Sequence, residues 1–282
     1  MALSNTQTDY PDRVLAVAVG ICLLAYLISV PVPRVDNQLI DSDGTFYYVY
    51  LPAPMLHGDL DFTQEYTYFF SYDPEIAQAI INDRTPRGLP ANQWSIGPAI
   101  LWAPFFLLAH LLANLIDVFG GTIPTDGLNN FYQLFVLLGN ILYGGAGLFL
   151  TYRLVREFVA EEAALVATVL VVFAGNLVYY MTVAPYMSHP VSAFASGLFF
   201  YTWVRRRKQP GVETAALYGF LGALMALVRP QDGVFIALPF LARCLMSAAV
   251  CGGMESPMNG NAGCAMPWWL DWSLLPHIVP KC

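Results

Sequence analysis

Two carboxylates and a glycine follow the first long apolar segment of the sequence, in the stretch Asp41-Ser42-Asp43-Gly44. In an extended segment, side chains two residues apart lie on one face, so Asp41 and Asp43 could act together on one hydroxyl group or one cation. Gly44 would let the backbone turn. These residues suit a general base, with the second carboxylate orienting a substrate hydroxyl or helping to hold Mg²⁺ or Mn²⁺. A solvated Asp-Gly turn is the competing interpretation.

The composition indicates a membrane protein. Of the 282 residues, 57% are hydrophobic and 12% are charged, and the mean hydropathy is +0.52. Soluble domains have about a quarter of their residues charged. The net charge of -7 argues against nucleic acid as a partner. The densest basic run, Arg205 to Lys208, abuts an apolar segment and therefore acts as a topology signal.

Six apolar segments predict an all-α, polytopic helix bundle in the cytoplasmic membrane. The first, 14–32, is interpreted as a retained anchor rather than a cleaved signal peptide. The others are 131–152, 163–182, 191–204, 214–228 and a last one from 234 to at least 242. With a cytoplasmic N-terminus, this order brings every Arg/Lys cluster to the cytoplasmic face.

Residues 33–130 are predicted to form a long outer loop that carries interfacial helices. The part from 33 to 94 holds nine of the twenty acidic residues and three of the thirteen basic ones, which favours a position outside the cytoplasm. Segment 96–119 is apolar enough to cross. If it crossed, the basic clusters near Arg153 and Arg205 would fall outside, so an amphipathic or re-entrant helix at the outer interface is predicted instead.

Four stretches with unusual polar residues then emerge on the outer face, as an active site at the membrane surface requires. They are 41–44, 92–95, 185–190 and 229–233. Aromatic side chains accompany them, and Tyr47, Tyr48 and Trp94 are the candidates for contacting a substrate. The sequence leaves two interpretations of these aromatics open, an interfacial belt and a stacking platform for a sugar.

Three further residues are candidates for binding a phosphate or moving a proton. The planar guanidinium of Arg229 suits a phosphate group, with Asp232 beside it. A surface pair with Asp232 or an interaction with lipid headgroups is the alternative for Arg229. His189 could donate to phosphate or transfer a proton, whereas a histidine that caps a helix start is the alternative.

The character of the chain changes after Arg243. Residues 244–282 are rich in Cys, Met, Gly, Asn and Trp and show no periodicity. This stretch is either a genuine loop and interfacial tail or the product of a shifted or shortened reading frame. Four of the five cysteines lie there without C-x-x-C spacing, so neither a zinc site nor a disulfide framework is predicted.

Residues 14–243 resemble the GT-C superfamily of integral membrane glycosyltransferases, especially its protein-mannosyltransferase and aminoarabinose-transferase-like branch. The resemblance rests on the N-terminal anchor, on the acidic stretch 41–44 followed by tyrosines, and on the motif N-Q-W-S-I-G-P-A-I-L-W-A-P-F at 92–105. It implies that Asp41 or Asp43 is the catalytic or metal-binding acid of the first loop. It also implies a polyprenyl-phosphate-linked sugar as donor.

Two other functions are kept beside the glycosyltransferase. A transporter or flippase of lipid-linked sugars is a different class, and the predicted crossings, which have no interior Asp, Glu, Lys or Arg, argue against it. An inactive fragment of a glycosyltransferase is the third, and it follows from the odd tail. Membrane lipid is an expected partner in each case.

Overall fold

The chain is helical through the part that the structure describes, as the sequence predicts. The computed structural model describes residues 9–32, 37–207, 209 and 211–242. The tail 244–282 and the end of the last predicted crossing lie outside them. In chain order the α-helices are α1 Asp9–Ser29, α2 Asp43–Tyr48, α3 Thr63–Phe69, α4 Pro74–Asn82, α5 Gly97–Val118, α6 Asn130–Val155, α7 Glu161–Ala174, α8 Leu177–Thr182, α9 His189–Arg206 and α10 Val212–Val228. A π-helical turn, Ala53–His57, follows α2, and a 3₁₀ turn, Pro230–Ile236, follows α10.

Three of the described helices are long and apolar enough to cross a membrane: α1 from Tyr10 onward, α5 and α6. α10 is apolar but shorter, with 17 residues. A multi-pass membrane protein is consistent with these helices. Two of the three, α1 and α6, coincide with predicted crossings, and the short helices α2, α3 and α4 occupy the predicted outer loop.

Segment 96–119, which is predicted to be an amphipathic or re-entrant helix at the outer interface, is α5, a helix long and apolar enough to cross a membrane. It is one continuous helix of 22 residues. Its buried face consists of Trp102, Phe106, Ala109 and Ala113. Its exposed face is also apolar, with Ile100, Leu107, Leu108, Leu111 and Leu115. A surface helix needs a polar outer face, whereas a helix that is apolar all round belongs in lipid. The positive-inside rule uses only the charges of the loops, so it takes no account of the apolar exposed face of α5.

α5 is nevertheless displaced along the bundle relative to α6. The Phe105 ring lies against Gly139, and His110 Nδ1 is 2.8 Å from the hydroxyl of Tyr132 near the start of α6. The two helices are therefore antiparallel, and α5 begins level with the middle of α6 rather than at its far end.

The predicted crossing 163–182 is broken in two. α7 ends at Ala174, and Gly175 is extended, with φ -98° and ψ 175°. α8 starts two residues later and contacts α1 and α9 as well as α6. Because an extended glycine interrupts the helical hydrogen bonds, this segment is a discontinuous helix rather than one span.

α6 is the central helix, and glycines on several of its faces allow close approach. α1, α5, α7, α8 and α9 all pack against it. The tightest approach to another backbone is at Gly147, where a Cβ atom would lie 2.7 Å from the Ala193 carbonyl carbon and from the Phe194 nitrogen of α9. α6 and α9 run parallel, since Gly144 meets Pro190 and Gly147 meets Ala193.

The basic turns gather at one end of the bundle, as the sequence predicts. Ion pairs join this end: Arg153 to Asp12 at 2.7 Å, Arg205 to Glu157 at 3.1 Å and Arg156 to Glu161 at 3.3 Å. The loop segments that carry α2, α3 and α4 pack at the opposite end. The bundle therefore has an arginine end and a loop end.

Gly147→Ala should destabilise the protein, because the added methyl group meets the α9 backbone rather than a mobile side chain. The expected cost is about 1–3 kcal/mol. Gly20→Ala is the matched control, since Gly20 lies in α1 with nothing within 4 Å of its Cβ position. Thermal unfolding in detergent would measure both. Equal midpoints for the two variants would contradict the close packing of α6 and α9.

Candidate functional site

The acidic stretch is a turn rather than an extended segment. Ser42 has φ 53° and ψ -137°, and the Gly44 amide donates to the Asp41 carbonyl at 3.0 Å. α2 begins at Asp43. The prediction that Asp41 and Asp43 lie on one extended face is therefore wrong, because the positive φ of Ser42 reverses the chain between them. Asp41 is exposed and accepts from the Ser42 amide at 2.5 Å, whereas Asp43 is half-buried.

Gly44 is required by a contact and not by the turn. A Cβ atom there would lie 2.7 Å from Tyr186 Cβ and 2.8 Å from the Tyr186 carbonyl oxygen. The φ of Gly44 is not positive, because Gly44 is not among the described glycines that have a positive φ. The absence of a side chain lets α2 sit directly on the 184–188 turn.

Gln133 of α6 fixes the chain just before the acidic turn. Its side chain is fully buried. The Oε1 atom accepts from the Leu39 and Ile40 amides at 2.8 and 2.9 Å. Its Nε2 atom donates to Gln38 Oε1 at 2.6 Å and to the Leu128 carbonyl at 2.7 Å. All hydrogen-bonding groups of the buried Gln133 amide therefore have partners. These bonds fix the position of the chain immediately before Asp41 and Asp43.

Asn140, two helical turns further along α6, fixes the second segment of the site. It is also fully buried, and its Nδ2 atom donates to the Pro185 carbonyl at 2.5 Å and the Met187 carbonyl at 2.9 Å. This pair of bonds ties the 184–188 turn to the middle of α6. Ser188 and His189 follow immediately, so their positions depend on Asn140.

Asp43, Tyr47, His189 and Arg229 come together between these two anchors. Ser188 Oγ donates to the Tyr47 hydroxyl at 3.4 Å. Burial is the main cause that raises the pKa of Tyr47, and the hydrogen bond from Ser188 lowers it. The negative charge of Asp43 raises this pKa further, and the positive charge of Arg229 lowers it. The same two charges act on His189. Three segments that are far apart in sequence thus converge, and we call these four residues with Ser188 the polar cluster.

His189 is a neutral imidazole at physiological pH. Burial, reinforced by the Arg229 charge, lowers the pKa of His189 to about 4, while Asp232 and Asp43 oppose the shift. Its ring stacks on Tyr180, with centroids 3.7 Å apart and 7° between planes. A neutral ring can donate one hydrogen bond or accept one, but it adds no positive charge to the cluster.

Arg229 carries the positive charge of the cluster without a carboxylate in contact. In the orientation that satisfies both side chains, the Gln231 amide oxygen accepts from Arg229 Nη2 at 2.7 Å and from Nε at 2.9 Å. Asp232 instead accepts from Ser192 Oγ at 2.6 Å. No ion pair of Arg229 within 4.0 Å occurs among the described residues. The surface pair with Asp232, one of the two alternative interpretations of Arg229, is therefore not formed.

The segment before α5 connects α2 to the end of α10. Asn92 Nδ2 donates to the Phe46 carbonyl at 2.8 Å, and Ser95 Oγ donates to the Val228 carbonyl at 3.2 Å. Gly97 lies so close to the backbone of Leu227 and Val228 that any side chain would collide. These contacts place Arg229, which follows Val228, against the start of α5.

Tyr48 and Trp94 are not part of the polar cluster. Tyr48 is fully buried, and its hydroxyl donates to the Gly127 carbonyl at 2.6 Å. Trp94 stacks on Phe46 with centroids 4.0 Å apart and 8° between planes. Many aromatic side chains of the outer loop pack against one another in the same way, so they form the core of the loop. This packing corresponds to neither of the two interpretations from the sequence, an interfacial belt or a stacking platform for a sugar.

An apolar groove of about 430 Å³ lies between α1 and α6. Its lining consists of Ala16, Val19, Gly20 and Leu23 from α1 and Leu142, Gly145, Ala146 and Phe149 from α6. α1 packs at Gly145 and α9 at Gly147, so the groove and the polar cluster lie on different sides of α6. The groove is not part of the cluster.

A divalent metal ion shared by Asp41 and Asp43 gains no support from this geometry. Asp41 is turned to solvent and bonds to its own neighbour. Within the described ranges, no group of three or more His, Cys, Asp or Glu side chains could hold a metal ion. The residues present therefore do not fit such an ion, and the chemistry proposed below does not pass through one.

Comparison of the chain with protein-family models, with curated proteins and with solved structures finds no match in any of the three. The likeness to GT-C glycosyltransferases thus rests on the sequence motifs alone. The class that the structure defines is an all-helical protein with three apolar helices long enough to span a membrane.

Sequence reasoning missed the residues that hold the cluster in place. It counted charged residues inside the apolar segments but not amides, although Gln133 and Asn140 are seven residues apart and so share one face of α6. A polar side chain inside a membrane-length helix is the signal that could have found them. Ser192 lies inside the predicted crossing 191–204 and Gln231 inside the polar stretch 229–233, but their hydrogen-bond partners become visible only in the fold.

His189 should make the protein less stable in acid. A histidine in the unfolded chain titrates near 6.5, and the folded-state pKa is about 4. Protonation therefore favours unfolding, so this contribution is fully present above pH ~6.5 and is lost as the pH falls towards 4. His189→Gln should lose less thermal stability than the unmodified protein between about pH 7 and about pH 5. Detergent melting curves at both pH values provide the measurement, and equal losses would contradict burial of the neutral ring.

Proposed function

We propose that this protein is a membrane glycosyltransferase that moves a sugar from a polyprenyl-phosphate donor to an acceptor hydroxyl on the extracytoplasmic face. The observation that carries the proposal is that Asp43, a carboxylate, and Arg229, a guanidinium with no contacting counter-ion among the described residues, both lie close enough to Tyr47 and His189 for their charges to act on the pKa of each. A base and an anion site are the two polar functions that such a transfer needs. Both belong to the polar cluster.

The transfer proceeds by displacement at the anomeric carbon. The acceptor hydroxyl gives its proton to an Asp43 carboxylate oxygen as its own oxygen bonds to the anomeric carbon. The bond from that carbon to the phosphate oxygen breaks, and its electron pair stays on the phosphate. Arg229 holds the resulting charge through the guanidinium edge that Gln231 leaves free. Asp41, exposed and turned away, has no role in this step.

The start of α9 supports the phosphate side of this proposal. α9 has 18 residues and begins at His189, next to Arg229. The N-terminal end of a helix carries a partial positive charge and attracts anions. Arg229 and the α9 N-terminus would therefore act on the same phosphate. His189, neutral and stacked on Tyr180, has one ring nitrogen for a hydrogen bond to a phosphate or sugar oxygen.

Asp43→Asn should abolish transfer, because an amide cannot accept the acceptor proton. The expected loss in rate is about 10²–10⁴-fold. Asp41→Asn is the matched control, since it makes the same change two residues away in an exposed side chain, and it should retain most of the activity. The assay is sugar transfer by the full chain in liposomes that contain a polyprenyl-phosphate sugar. Full activity in Asp43→Asn would remove Asp43 as the base.

A second candidate function is transport or flipping of lipid-linked sugars. It is favoured by the break between α7 and α8 at Gly175, because discontinuous helices are common where transporters bind substrates. The same liposomes distinguish the two functions. Movement of the lipid-linked sugar across the bilayer without transfer, unchanged in Asp43→Asn, would favour the transporter. An inactive fragment would show neither activity.

The loop end of the bundle should face outward and the arginine end the cytoplasm. Glu75 in α4 and Glu162 in α7 are exposed at opposite ends, so Glu75→Cys and Glu162→Cys are matched probes in a background without the native cysteines. A membrane-impermeant maleimide added to intact cells should label position 75 and reach position 162 only after permeabilisation. The reverse pattern would place the polar cluster on the cytoplasmic side and contradict the proposed transfer outside the cell.

A further inference from the structure

Arg229 and Asp232 are natural partners that do not pair. The Asp232 amide donates to the Arg229 carbonyl at 2.9 Å at the start of the 3₁₀ turn. Arg229 is the extended residue just before that turn and Asp232 is the third residue of the turn, so the two charged side chains start from the same turn. An ion pair between them would neutralise the guanidinium.

Two other side chains prevent this pairing. Ser192 of α9 donates to Asp232 Oδ2 at 2.6 Å and so draws the carboxylate towards α9. Gln231 takes the Nε and Nη2 atoms of Arg229 with a neutral oxygen, at 2.9 and 2.7 Å. The guanidinium is therefore oriented without being neutralised, and its other N–H groups are left for a ligand.

We infer that Ser192 and Gln231 are positioning residues that keep Arg229 free as a binding site for a phosphate group, by holding Asp232 away from it. The inference deepens the proposed function, since it concerns the anion site of the same cluster. It does not need the transfer reaction to occur. The chemistry recognised is the anionic phosphate group, carried as a monoester on a membrane lipid or present as inorganic phosphate in solution.

Removal of the Ser192 hydroxyl should weaken phosphate binding, because the freed Asp232 carboxylate turns to Arg229 and competes with the ligand. We expect a loss of about fivefold in affinity for Ser192→Ala, the size of one partly exposed ion pair. Ser196→Ala, one turn further along α9, is the matched control. The double variant Ser192→Ala/Asp232→Asn should recover the lost affinity, since an amide does not compete for the guanidinium. A purely structural role of Ser192 would not be rescued in this way.

Gln231→Glu tests the second half of the inference. A carboxylate at this position accepts the same two N–H groups but adds a negative charge, so phosphate binding should fall at least as far as in Ser192→Ala. Gln78→Glu in α4, an exposed site in the outer loop, is the control for the added charge alone.

The measurement is isothermal titration of the full chain in nanodiscs with farnesyl phosphate and, separately, with inorganic phosphate. Tighter binding of farnesyl phosphate identifies a lipid source, and equal binding identifies free phosphate; both support the anion site. No binding of either probe by the unmodified protein overturns the inference. Unchanged affinity in Ser192→Ala, or a double variant that stays as weak as Ser192→Ala, does so as well. If binding and rescue are found but Asp43→Asn still transfers sugar, the anion site stands and the proposed base fails.

Discussion

The structure depends on two amide side chains buried in an otherwise apolar helix. An amide inside a membrane-length helix costs free energy unless its hydrogen bonds are made within the protein. Gln133 makes them with the segment before the acidic turn, and the Nδ2 atom of Asn140 makes them with the turn before α9, while its Oδ1 atom is buried with no partner among the described residues. The hydrogen bonds of these two amides hold two distant parts of the chain on one face of α6. The polar cluster is a consequence of that constraint.

The sequence was sufficient for the helical class and for the separation of charge between the two ends. Both follow from local composition: apolar runs form helices, and the arginines lie at helix ends. It was not sufficient to decide how α5 lies relative to the membrane. The charges of the loops favour a helix at the outer interface, whereas the apolar exposed face of α5 favours contact with lipid. Nor could spacing show that Ser42 reverses the chain between Asp41 and Asp43, since a non-glycine residue only rarely has a positive φ.

The outer loop explains why so many aromatic residues lie among acidic ones. Their rings form a core beneath α2, as in the stacked pair Phe46 and Trp94. The described acidic residues around them are exposed or half-buried, with one exception. A buried exception is Glu65, 2.9 Å from His57 Nδ1, where burial raises the pKa of the carboxyl group. Because α2 stands on this core, Asp43 is placed by a folded unit and not by a flexible connection.

The unequal lengths of the helices have a consequence for the surrounding lipid. α6 has 26 residues and extends about 39 Å, whereas α9 and α10 have 18 and 17 residues and extend about 26 Å. The hydrocarbon layer of a bilayer is about 30 Å thick. Where α9 and α10 cross the bilayer as the sequence predicts, hydrophobic mismatch would compress the membrane locally and draw the outer headgroups inward.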